Sequence, residues 1–416
     1  MSGSSRTGSF GIIGGVSRGP LFLALLFFGY LAFAADRTVL SSVLKPLASS
    51  VGAGEFSFLG VAGVAWLASA QFMGVLAFVL ASGQLSDRYG QRLVIVAGVG
   101  VFTAFTWLIG FASDFQQAFL CRLVSGFGEG MFWPAAMSAV ANYFGENKGL
   151  ALGVFYAGFD IGGAAGNSIG SASFSLTSDW RAAFFVAPLL GLPVLAGALL
   201  SRGTFSTAAS KVGRLSMEKD AMTVLRTRRF WAIVVFAFLA TWASVWQVAY
   251  LPYYYSTVLG ASVPVAGLVG AVVLLSGMVG KVVLGRLSDL AKRGRLLLAL
   301  SLAVVVCYAA FFSTSDFDIG VGVALLMGFF SSAIFPVMQA LASDSAGGRT
   351  GTSLGLTTSS QSAAAVIGTL LPGSLLTLGV GAALALDAMV PAVLMVIAAA
   401  FLRDTAPKRH GPNSNP

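Results

Sequence analysis

The sequence predicts an all-α membrane protein of twelve transmembrane helices, arranged as two pseudo-symmetric six-helix bundles with both termini cytoplasmic. Three observations lead there. The 416 residues are 56% hydrophobic and only 10% charged, with a mean hydropathy of +0.85. Soluble domains carry about 25% charged residues. The apolar stretches do not alternate, and each is about 20 residues long, which suits a spanning helix and not a barrel strand. There is also an internal repeat. Gly83-Gln-Leu85-Ser86-Asp87 recurs as Gly285-Arg-Leu287-Ser288-Asp289, 202 positions on. The same offset takes Gly126-Phe127 to Gly328-Phe329 and Pro134 to Pro336. It also takes Gly149, Leu152 and Gly153 to Gly351, Leu354 and Gly355.

Taken in order, residues 1–20 are a polar, Gly/Ser-rich tail, and the apolar run from Leu21 is long enough to span rather than to be cleaved away. Helices are expected at 21–40, 58–81, 93–112, 116–142, 149–173 and 182–200, which form the N-terminal bundle over 21–200. A polar, basic linker follows at 201–229. The second bundle, 230–403, holds helices at 230–252, 264–284, 296–313, 319–343, 351–377 and 383–402, and a tail closes the chain at 404–416. The 51 glycines suit close helix packing in lipid. Loops on the side of the termini carry most of the Lys and Arg, among them Arg88, Arg92, Lys148, Arg214, Arg228, Lys292 and Arg349. The opposite loops carry only Lys45 and Arg181. Positive loops mark the cytoplasm. They account for the net charge of +9 without nucleic acid as a partner.

Composition excludes other classes. Cys121 and Cys307 lie in apolar stretches, and the single histidine, His410, lies in the tail, so no disulfide framework, metal site or histidine-based catalysis is expected. No intramembrane protease motif or repeated selectivity loop is present, so neither an enzyme nor a channel is predicted. No cofactor is expected.

Five charges stand out. Arg122 and Glu129 lie mid-span, Asp160 lies in the middle of another span, and Asp36 and Arg37 lie near the end of the first. Each charge at the bilayer centre costs roughly 2.5–3.5 kcal/mol unless paired or hydrated. Such residues mark a substrate or proton path by default. The alternative is a network that only orients helices. Arg122 and Glu129 share a helix face about 10 Å apart along the axis, and Asp36 and Arg37 point about 100° apart, so one can face a cavity and the other the bundle. The repeat maps Asp36, Arg122, Glu129 and Asp160 to Phe238, Ala324, Ser331 and Ser362, which confines this ion chemistry to the N-terminal half.

Gly83-x-Leu85-Ser86-Asp87-Arg88-Tyr89-Gly90-Gln91-Arg92 resembles the cytoplasmic loop motif of the major facilitator superfamily. Gly90 permits a tight turn. Asp87 can cap a helix or pair with Arg88 or Arg92 as a latch between states, or the segment can be a plain positive-inside loop. The second copy, at Asp289, has Leu290 where the first has Arg88. Within the superfamily the charges resemble the anion:cation symporter branch. The resemblance is carried by Asp36-Arg37-x-x-Leu40-Ser41, by Arg122-Leu-x-x-Gly126-x-Gly128-Glu129 with Pro134, and by Asn142-Tyr143-Phe144 with Lys148-Gly149-Leu150-Ala151 and Gly153. It implies organic anion transport coupled to protons, with anion binding at Arg37 and proton coupling at Asp36 and Glu129. Val39 stands where relatives often have Asn, and Asp160 where they often have a neutral polar residue that touches substrate.

The expected function is therefore a secondary transporter for a small organic anion, a carboxylate or sugar acid, in the cell membrane and acting as a monomer. Arg37, Arg122, Asp160, Tyr250 and Gln361 are the substrate-binding candidates. In the C-terminal half, Trp242, Trp246, Gln247 and Tyr250 share one helical face. Lys281 is expected to snorkel from the cytoplasmic end of its helix. A drug-efflux antiporter of the same fold, suited by Asp160, and a monocarboxylate or oxalate-type carrier are the alternatives.

Overall fold

The computed structural model describes residues 12–13, 16–144, 148–200, 227–345 and 350–402. The expected linker and tails lie almost wholly outside these residues. The first five spans are Arg18–Ser50, Gly63–Tyr89, Gln91–Ile109, Phe115–Phe144 and Lys148–Thr177. The sixth is broken into Arg181–Val186, a 3-10 turn at Ala187–Gly191 and Leu192–Leu200. Spans seven to twelve are Arg228–Thr257, Val263–Leu290, Arg293–Ser313, Phe317–Ser345, Thr350–Ser374 and Val380–Leu402. Short antiparallel hairpins at Ile12–Ile13 with Val16–Ser17 and at Ser57–Phe58 with Val61–Ala62 are the strands among the described residues. Among the described residues, seven helices are long and apolar enough to cross a membrane on length and composition alone. Spans four and five, which carry Arg122, Glu129 and Asp160, are not among them.

The repeat is visible in the backbone. Spans three and four start at Gln91 and Phe115, and their counterparts start at Arg293 and Phe317, each 202 positions later. Glycines set the crossings. A Cβ on Gly126 would strike the backbone of Gln71, and one on Gly74 that of Leu123, so spans two and four touch backbone to backbone. Gly328 meets Val273 in the same way in the C-terminal half. Gly162 and Gly166 bring span five onto Leu31 and Ala35 of span one.

The first span is longer than the sequence suggested. It continues past residue 40 through Pro46 to Ser50. The serines that seemed to end it bond back to their own helix, Ser41 to the Thr38 carbonyl (2.8 Å) and Ser42 to that of Val39 (2.9 Å). Asp36 and Arg37 are therefore central in the helix, not near its end. Span eight likewise runs six residues beyond the expected 284, to Leu290. Lys281 is then about 13 Å inside the helix end.

The two halves meet mainly at the end of the bundle away from the chain termini. Lys45 Nζ donates to the Ser256 carbonyl (2.6 Å), Gly373 faces Val61 and Ala65, and Gly267 faces Ser42 and Ser171. The largest apolar cluster joins both halves at this end through Val43, Leu47, Leu67, Tyr254 and Ala266. Toward the terminal end, the cluster around Phe22, Leu26, Phe132 and Phe155 holds residues of the N-terminal half alone.

Candidate functional site

The Gly74–Gly126 crossing places Gln71 of span two between the two charged residues of span four. Gln71 Nε2 donates to Glu129 Oε1 and to Asp36 Oδ2, each at 2.7 Å. Its Oε1 accepts from Arg122 NH2. Arg122 NH1 also donates to the Asp36 carbonyl (3.1 Å) and lies 3.5 Å from Asp36 Oδ1. Ser125 Oγ donates to Asp36 Oδ2 (2.6 Å), and Thr106 Oγ1 donates to Oδ1. Arg37 Nε donates to Glu129 Oε2 at 2.8 Å. One connected network thus joins Arg37, Glu129, Gln71, Arg122 and Asp36 from three helices, with two cations balancing two carboxylates.

Arg122 and Glu129 do not pair with each other, as their two-turn separation predicted. A side-chain amide bridges them. Asp36 and Arg37 diverge as the helix period requires. Asp36, Arg122 and Glu129 are buried, whereas the Arg37 side chain keeps 13% of its exposure. The Arg37 guanidinium lies 4.2 Å from the Phe33 ring centre and 5.0 Å from that of Phe72. Phe72 packs against Val245 and Ala365 of the other half. Arg37 therefore sits where the halves meet, with an edge left for a ligand, and the rest of the network lies behind it.

Asp160 lies on span five. Both of its oxygens accept from Lys281 Nζ, at 2.8 and 2.9 Å. This overturns the expectation that Lys281 snorkels, because the longer span eight carries its ammonium inside. Buried charge is also not confined to the N-terminal half. Asp387 of span twelve is fully buried and accepts from Trp242 Nε1 (2.8 Å).

The other candidates are spread out. The Tyr250 hydroxyl donates to the Thr369 carbonyl (2.5 Å) and its ring is buried. Gln361 is buried in span eleven. Trp246 packs on Tyr308, Phe311 and Phe312, and Gln247 donates to Tyr308 (2.6 Å). At the motif loop, Gly90 takes φ +85° between spans two and three and donates to the Ser86 carbonyl. Arg88 is exposed beside Tyr89, and Arg92 is half-buried. Gly83 lies within span two, and the side chains of Asp87 and Asp289 lie outside what is described.

Gln71, Thr106 and Ser125 were missed in the sequence, as were Lys281 as a partner and Asp387. Only Asp387 carried a signal, a lone acid in an apolar stretch. The neutral residues carried none, because only the crossing shows what they touch.

Two like bundles of spanning helices with ion pairs buried at mid-depth define a polytopic membrane transporter. The sequence profile of the Major Facilitator Superfamily matches residues 26–320 and 247–416, and the chain belongs to that superfamily. It is a multi-pass transporter of the cell membrane, not an enzyme. It is 25% identical to a 3-(3-hydroxy-phenyl)propionate transporter of Escherichia coli over 342 residues, 81% of this chain and 83% of that protein. A 4-hydroxybenzoate transporter of Pseudomonas aeruginosa is 34% identical over 135 residues, 32% of this chain and 30% of that protein. A methylenomycin A resistance protein of Bacillus subtilis is 26% identical over 187 residues, 44% of this chain and 38% of that protein. Among solved structures, a D-xylose-proton symporter superposes with a TM-score of 0.73 at 16% identity, covering 93% of this chain and 98% of that one.

Proposed function

We propose that this chain is a proton-coupled symporter of small organic anions, with Arg37 as the anion anchor and Glu129 as the proton-accepting partner. The observation that carries the reading is the Arg37–Glu129 pair, with its cation at the boundary of the halves and its carboxylate fully buried. Glu129 holds the Nε edge of the guanidinium. A substrate carboxylate fits the remaining fork in a charge-assisted, bidentate contact. As the substrate takes over Arg37, Glu129 becomes a buried carboxylate short of its cation, and a proton relieves that cost. Anion and proton then promote each other's binding, as linkage requires. Asp36, Arg122 and Gln71 hold Glu129 in place, and Asp36 is a second group through which the proton can pass.

Both termini are cytoplasmic in this reading, so the packed far end is extracellular and the site opens inward. Transport is by alternating access of two bundles in one monomer. The relatives that carry 3-(3-hydroxy-phenyl)propionate and 4-hydroxybenzoate point to an aromatic acid as the substrate.

The resistance protein among the relatives favours an efflux antiporter as the second reading. Against it stands Asp160, the carboxylate that suits a cationic drug, because Lys281 already neutralises it. A thermal-shift screen of the purified protein separates the two. Aromatic acids should raise the melting temperature of the wild type and not of Arg37→Ala. A cationic drug that raises it in both proteins contradicts the anion reading.

A further inference from the structure

We infer that Lys281 is a second anion anchor, carried by the C-terminal half and masked by Asp160 until substrate arrives. This deepens the anion reading above and rests on it. The pair joins span five to span eight, hence one half to the other, with both Asp160 oxygens on one ammonium. Exposure is unequal within the pair. The Lys281 side chain keeps 21% and Asp160 only 1%, so the cation is the member a ligand can reach.

The arrangement matches the one at Arg37. There too the partly exposed cation is held by a buried carboxylate and lies over a phenylalanine. Lys281 Nζ is 5.5 Å from the centre of the Phe159 ring. Phe33 and Phe159, the rings beneath the two cations, are 6.4 Å apart, and Tyr30 touches both at 5.1 and 5.7 Å. Two masked cations from opposite halves therefore flank one aromatic wall.

A flat anion with an acceptor at each end fits that wall. Its carboxylate goes to Arg37, and a second carboxylate or a hydroxyl oxygen goes to Lys281. The second contact exchanges one acceptor for another on the ammonium, and it ties the halves through the ligand instead of through Asp160. An ion pair that only pins the helices would behave differently. Removing its carboxylate could not strengthen ligand binding.

The test is calorimetric titration of the full-length purified protein with benzene-1,4-dicarboxylate, 4-hydroxybenzoate and benzoate. The wild type should prefer the two-ended ligands. Asp160→Asn, which is isosteric, should tighten those two roughly tenfold and leave benzoate unchanged. The double variant Asp160→Asn/Lys281→Met leaves no unpaired charge and should bind all three alike. Unchanged or weaker binding of the two-ended ligands to Asp160→Asn, or a surviving preference in the double variant, overturns the inference. So does a wild type that binds none of the three, whereas binding of other anions by that protein would leave the anion reading standing.

Discussion

The crossing of spans two and four and its repeat, the crossing of spans eight and ten, are the same joint with different contents. In each, a glycine of the second helix rests on the backbone of the first, Gly126 on Gln71 and Gly328 on Val273, and both members of the pair recur 202 positions later. In the first joint Gln71 reaches Asp36, Arg122 and Glu129. In the second the matching residues are Val273, Phe238, Ala324 and Ser331. Val273, Ala324 and Ser331 are buried there. Backbone packing is thus shared between the halves, while charge at this joint is kept in one. The fold needs the glycines and does not need the charges, so the charges are retained for another purpose.

That comparison can be broken by moving one joint toward the other. Gln71→Val gives the first joint the residue of the second and removes three hydrogen bonds to charged groups. Hydrogen bonds to charged groups contribute about 1.5–3 kcal/mol each in soluble proteins, and interhelical bonds in lipid less, so a net loss of about 2–4 kcal/mol is expected. Chemical denaturation in detergent should show it, and uptake should lose its dependence on the proton gradient. Val273→Ala in the second joint should lower stability by a smaller amount and leave that dependence intact.

The glycines offer a smaller and symmetric change. Gly126→Ala and Gly328→Ala each force a methyl into backbone, an overpacking cost of about 1–3 kcal/mol. Their melting temperatures should fall by similar amounts. Only Gly126→Ala should also weaken anion binding, because only there does the shift reach the Arg37 network. Equal effects on affinity would mean that the second joint contributes to the site as well.

Much of this was legible in the sequence. The constant offset and the apolar run lengths specify twelve helices in two halves, because a lipid solvent leaves few other solutions for such a chain. Five intramembrane charges were legible for the same reason, since each stands out against an apolar background. The geometry between them was not. Helix ends were read from polar residues, yet Ser41 and Ser42 satisfy their hydroxyls on their own helix, and span one runs on past them. The same error at span eight placed Lys281 at a surface when it lies inside, against Asp160. Gln71 could not be singled out, because an amide in an apolar helix gains its meaning only from a close crossing, here made by Gly74, three positions on, and Gly126, 55 positions on.

The central claim is that coupling resides in the Arg37–Glu129 pair, and Glu129→Gln tests it most directly. Reconstituted in vesicles, the variant should lose accumulation of an aromatic acid driven by an inward proton gradient. Counterflow exchange of the same acid should remain measurable, because Arg37 and the moving halves are intact. Accumulation equal to the wild type would contradict the account and place the coupling proton elsewhere.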